Sequence, residues 1–220
     1  MSLTLHQHPF ASYCWKALIA LDELGLPFES VQIDTPDDWA AFAELWEMSK
    51  MPVIVDDEAG VVLPEATIVV EYVDRLAGGG RMIPDDPDVA LDVRLWDRLF
   101  DGFVMTPMQK IVLDNLRPED QRDAFGVDEA RGILDNAYAM LDRRLPSEGF
   151  AAGPDFTLAD CSAAPSLHYA RAVQRWDEDG LVNLTAYHRR LEQRPSVARV
   201  IEAARPYREF FPPGWPADIG

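Results

Sequence analysis

Residues 50–74 read KMPVIVDDEAGVVLPEATIVVEYVD, and this stretch decides the fold. Pro52 stands directly against a β-branched run, although proline has no N–H to give a ladder and is tolerated only at a strand's first residue, an edge or a bulge. Two apolar runs, VIV and VVL, flank DDEAG, whose turn residues and Gly60 suit an antiparallel hairpin. Ile68, Val69, Tyr72, Val73 and Leu76 then recur at helical spacing up to Gly78-Gly79-Gly80. The segment is therefore ββα, opened by a proline.

Upstream, residues 3–6 alternate as a strand does, and Cys14, Ala17, Leu18, Leu21 and Leu24 mark a helix that Gly25 and Pro27 stop. Residues 28–33 alternate again, and an acidic segment with Trp39, Phe42, Leu45 and Trp46 reads as a short helix. The order is βαβα then ββα. After three glycines the chain runs RMIPDDP at 81–87 and strand signals vanish, which places a linker there between a first domain at 1–80 and a second at 88–220. Helical periodicity over 88–115, 128–145, 157–176, 185–193 and 196–205 predicts an all-helical bundle.

Composition narrows the partners. With 20 Lys plus Arg against 38 Asp plus Glu, the net charge of −18 repels polyphosphates and anionic membranes, so nucleic acid is not an expected ligand. The start MSLTLHQHPF lacks a basic region and a long apolar run, and no window approaches the roughly 18 apolar residues of a membrane span, so a cytoplasmic protein is expected. Two cysteines, Cys14 and Cys161, make no disulfide framework or CxxC pair. His6 and His8 form an HxH pair with no third ligand at a helpful spacing, so no metal is expected.

The order of elements, the MPV boundary, PEATIVVEYVD and the helical second half together resemble the cytosolic glutathione transferase family, bacterial in pattern and of the serine/cysteine type at the N-terminus. The resemblance covers essentially the whole chain. It implies a thioredoxin-like α/β domain (βαβαββα) followed by the helical domain, a cis Pro52, and a homodimer acting on glutathione and a small apolar electrophile. It also implies that the backbone of Met51 pairs with the cysteinyl residue of glutathione as a short strand would.

In that family a Glu-Ser or Gln-Ser pair opens the helix after the hairpin and holds the γ-glutamyl end. This chain has Glu65-Ala66, which keeps the carboxylate and loses the hydroxyl; Thr67 is the nearest other oxygen, but one residue turns a helical side chain by about 100°. Glu65 also reads as a first-turn acid complementing the helix dipole. Lys50 takes the slot of a ligand-binding glutamine, with Lys16 a second cation for the glycyl carboxylate.

The thiol-activating slot, aligned on ALDELG, falls on Ala11. Ser12 ranks first as its replacement, although a serine before an apolar helical run is commonly an N-cap. Tyr13 ranks second and Cys14 third, the latter reading better as a buried, inert thiol. Trp96, Phe100, Phe103, Met105 and Met108 are candidate pocket residues that also read as core, and the terminal RPYREFFPPGW either folds back toward the site with its aromatic cluster or serves as packing, the latter being preferred. Thr157 and Asp160 form a capping-box pattern that concerns folding.

These readings imply a glutathione S-transferase. The alternatives are a glutathione-dependent peroxidase or thiol reductase working through Cys14, and a dimeric binding scaffold without catalysis.

Overall fold

A computed structural model describes residues 2–219. Strand β1 (Leu3–Gln7) leads into α1 (Ser12–Leu24), β2 (Glu29–Gln32), α2 (Pro36–Leu45), the hairpin β3 (Val53–Asp56) and β4 (Val61–Pro64), and α3 (Ala66–Leu76). The sheet order is β2-β1-β3-β4, with β1 parallel to β2 and antiparallel to β3. Period-2 alternation sends successive residues to opposite faces. Ile54 joins Leu3 and Leu5 in the core shared with α1 and α3, whereas Val53 packs with Ile33 and with Phe42 of α2 on the other side.

Gly25 ends α1 in the left-handed conformation at φ 65°, where its N–H returns to the carbonyls of Leu21 and Asp22. The alternative use of Ser12 as an N-cap does not hold: Ala11 occupies the cap and Ser12 is the first helical residue, so its hydroxyl is not spent on capping. Strand β2 is shorter than the alternation over 28–33 suggests and lies exposed at the sheet edge.

The second half is helical: α4 (Pro87–Phe100), α5 (Thr106–Asp114), α6 (Ala124–Arg144), α7 (Leu158–Val173), α8 (Val182–Glu192) and α9 (Pro195–Ala204). Thr157 and Asp160 form the capping box of α7, and the Asp160 carboxylate also accepts from Tyr187 Oη at 2.6 Å and from the Ala151 N–H at 3.0 Å. The periodicity over 88–115 suggests one helix, but a π-turn at Asp101–Met105 divides it into α4 and α5. Pro107 cannot donate to the carbonyl one turn back, and a widened turn there removes the conflict.

The hydrophobic core is continuous across both halves, because α1 carries Trp15, Ile19 and Leu21 into the same cluster as Leu158 and Leu167 of α7. Lys16 is fully buried at this junction. Its Nζ donates to Asp97 at 2.7 Å, to Asp101 at 2.9 Å and to Thr67 Oγ1 at 2.9 Å. Ser162 donates to the same Asp97 carboxylate. One cation thus ties α1 to α3 and α4, and it is not available to a ligand as the sequence suggests. Among the described residues no helix is long and apolar enough to cross a membrane.

Candidate functional site

Where the first strand, the proline turn and the start of α3 meet the second half, a cleft of about 870 Å³ opens. Ala11, Ser12, Tyr13, Lys50, Met51, Pro52, Glu65 and Ala66 all line it. Residues scattered over 56 positions of sequence are therefore gathered on one wall. The Met51–Pro52 peptide bond is cis, and Met51 precedes β3 rather than joining its ladder.

Glu65 caps α3 with φ 71°, a left-handed conformation that a side chain seldom adopts. Its carboxylate makes no capping hydrogen bond, so the first amides of α3 are left without a side-chain acceptor. A helix N-terminus with unsatisfied N–H groups is suited to an anion. Thr67 does not replace the missing serine: its hydroxyl accepts from Lys16 and donates to Asp97 at 3.0 Å, inside the domain junction.

Around the head of α1, the three candidates separate clearly. Ser12 and Tyr13 lie on the wall, half-buried. Burial pushes the Tyr13 phenol up to about 12, with the Asp101 carboxylate adding to the rise while Arg98 and Thr106 oppose it. The phenol therefore stays protonated near neutral pH and acts as a donor. Cys14 is fully buried and absent from the wall, and burial pushes its thiol up to about 12 despite a backbone contact with His8.

The opposite wall holds groups that the sequence did not single out. Arg98 and Asp101 reach the cleft from the end of α4, and the π-turn begins at Asp101. Asp101 Oδ2 accepts from Lys16 and from Arg98 at 3.2 Å, whereas Oδ1 is buried with no hydrogen-bond partner among the described residues. Burial raises the Asp101 pKa first; Lys16 opposes this and Asp97 adds to it. An unpartnered buried carboxylate oxygen on a cleft wall is a ready acceptor.

The rest of that wall is apolar apart from Gln109: Met108, Val112, Leu113, Tyr169, Phe210, Phe211 and Pro212. Of the expected pocket residues on α4 and its continuation, only Met108 lines the cleft. Trp96, Phe100 and Met105 are core, and Phe103 is 52% exposed elsewhere. The terminal segment does both things its sequence allows: Phe210, Phe211 and Pro212 line the cleft and Phe211 also packs in the core, while Gln32 Nε2 donates to Tyr207 Oη at 2.7 Å. The His6 and His8 rings do not share partners: His6 stacks near Phe42, while His8 Nε2 pairs with Asp34 at 2.8 Å.

Residues 5–81 match the glutathione S-transferase N-terminal domain family, and residues 124–190 match the glutathione S-transferase C-terminal domain family. The chain belongs to the cytosolic glutathione S-transferase family. Glutathione S-transferase GstB of Escherichia coli K12 is 26% identical over 192 residues, 84% of this chain and 91% of the relative. Glutathione S-transferase A of Pleuronectes platessa is 26% identical over 210 residues, 92% of this chain and 88% of the relative.

Among solved structures, a glutathione S-transferase of Methylobacterium radiotolerans in complex with glutathione sulfonate superposes with a TM-score of 0.79 at 26% identity. The match covers 91% of this chain and 95% of that one. A second, from Methylobacillus flagellatus with glutathione bound, reaches a TM-score of 0.82 at 22% identity over 90% of this chain and 98% of that one, a likeness of fold. The family assignment accords with the two-part architecture, a mixed four-stranded sheet with helices followed by a helical domain.

Proposed function

We propose that the cleft binds glutathione and that the protein is a glutathione transferase, joining the glutathione thiolate to a small apolar electrophile. The observation that carries this reading is the single wall formed by Ser12, Tyr13, Met51, Glu65 and the open N-terminus of α3. In this reading the α3 amides receive the γ-glutamyl carboxylate, and the Glu65 and Asp101 carboxylates receive its ammonium group. The Met51 backbone pairs with the cysteinyl residue, and exposed Lys50 faces the glycyl carboxylate.

The ligand thiol then lies by Ser12 and Tyr13. A free thiol has a pKa of about 8.5, so donated hydrogen bonds that favour thiolate raise the reactive fraction at neutral pH. The thiol releases its proton to solvent, the sulfur forms a bond to the electrophilic carbon, and the leaving group departs with the electron pair. The apolar wall holds the electrophile, and positioning of the two reactants supplies much of the rate.

Cys14 takes no part in this scheme. A buried thiol with so high a pKa is a poor nucleophile, which argues against a mixed-disulfide reductase. The protein acts in the cytoplasm as a homodimer. Leu91 and Leu95, one turn apart on α4, are 68% and 48% exposed, and Glu71 and Arg94 pair at 3.0 Å between α3 and α4. This is an apolar strip suited to a second copy.

Turnover tests the proposal: glutathione and an activated aryl chloride are supplied, and S-hexylglutathione is added as a competitor. Conjugate formation inhibited competitively against glutathione supports it. A folded protein that forms no conjugate above the uncatalysed rate overturns it.

A further inference from the structure

Away from the glutathione cleft, α7 and α8 bring three ligating side chains together inside the helical domain. His188 and Glu192 are four residues apart and share a face of α8, and His168 approaches from α7. His168 Nδ1 lies 3.4 Å and His188 Nε2 lies 3.5 Å from the same Glu192 Oε1, and the three ligand atoms all lie within 4.8 Å of one another.

These separations are long for hydrogen bonds, which centre near 2.9–3.0 Å for N–H···O. His188 Nε2 is buried with no hydrogen-bond partner among the described residues. Ligand atoms held tetrahedrally at about 2.0–2.1 Å from a zinc ion stand about 3.3–3.4 Å apart, and both measured distances to Glu192 match that spacing. The third edge, between the imidazoles, is no longer than 4.8 Å.

We infer that His168, His188 and Glu192 form a zinc site that ties α7 to α8. Two imidazoles and one carboxylate are donors of the class that zinc favours. Both histidines are buried, whereas the Glu192 side chain is 30% exposed, so water supplies the fourth ligand from that side. The rings are held in place by aromatic neighbours, with Trp176 5.2 Å from His188 and Trp15 and Trp215 5.1 and 5.3 Å from His168. The nearby Arg171 guanidinium is engaged by Glu178. Between two packed helices the ion acts as a cross-link, and its binding energy adds to folding stability.

The test starts from chelator-stripped full-length protein titrated with zinc chloride against a chromophoric competitor. One zinc per chain, a raised thermal midpoint and at least about tenfold weaker binding in Glu192→Gln are expected. His6→Gln, which alters the other histidine pair, leaves the zinc affinity unchanged. Cobalt(II) added to the wild type gives the intense visible bands of a tetrahedral ion, a readout that stands even where a variant fails to fold. Absence of stoichiometric zinc, equal affinity in folded Glu192→Gln, or a pale octahedral cobalt spectrum overturns the site.

Discussion

The two walls of the cleft are built in opposite ways. The first-domain wall comes from short local signals: a proline before a strand, an acid at a helix start, a hydroxyl at the head of α1. The second-domain wall comes from residues that no motif marks. Arg98 and Asp101 reach the cleft where a π-turn interrupts a helix, and Phe210 and Phe211 arrive because the chain's end folds back. The first wall therefore rests on backbone geometry, which local sequence encodes, while the apolar side rests on tertiary placement.

The walls are joined by Lys16, and breaking that joint gives the largest expected effect. Lys16→Met leaves Asp97 and Asp101 facing each other without their buried cation, a change that costs about 3–5 kcal/mol. Urea unfolding measures it, and a loss below about 1 kcal/mol would show that the walls are held together by apolar packing alone.

Next come the hydroxyls of the first wall. Hydrogen bonds to a charged partner are worth about 1.5–3 kcal/mol, so under the proposed function losing the hydroxyl assigned to the thiolate should lower kcat/KM by about ten- to a hundredfold. Comparing Ser12→Ala with Tyr13→Phe identifies the donor: the variant that also raises the pH midpoint of the rate carries the role, and two unchanged profiles would assign it to neither.

A third test concerns a clamp between the first domain and the last helices. The Glu23 carboxylate accepts from Arg194 at 2.7 Å and from Ser196 at 2.5 Å. Burial alone would raise its pKa, but Arg194, Ser196 and Arg81 together hold it below the usual glutamate range. A depressed folded pKa means that the unfolded chain binds the proton first on acidification. The clamp's stability is therefore complete above the unfolded pKa and is lost as pH falls through the folded one. Glu23→Gln should flatten the acid limb of a stability-against-pH curve, and an unaltered limb would place the acid sensitivity elsewhere.

Much of the fold was legible because helices and strands declare themselves through period and punctuation: Gly25, Gly60 and the 78–80 glycines fall at element ends, and Pro52 marks the start of β3. The break at Asp101–Met105 was not legible, since apolar spacing continues across a π-turn with little change in face. Nor was the burial of Lys16, because its partners lie 81 and 85 residues away. The same limit applies to His168, which meets His188 and Glu192 only once α7 and α8 have packed.

The smallest effect belongs to the second wall. Phe210→Ala trims an exposed ring at the cleft mouth and should raise KM for an apolar electrophile a few-fold, about 1 kcal/mol, with glutathione affinity unchanged. Weakened glutathione binding in this variant would mean that the two walls do not divide the substrates as described.

A calorimetric titration of the wild type and Glu65→Gln with glutathione tests the proposed site. One site per chain is expected in the wild type, and at least about tenfold weaker binding in the variant, because a carboxylate facing an ammonium group is neutralised. Equal affinity in the two proteins, or no heat and no thermal shift in the wild type at millimolar ligand, would contradict it.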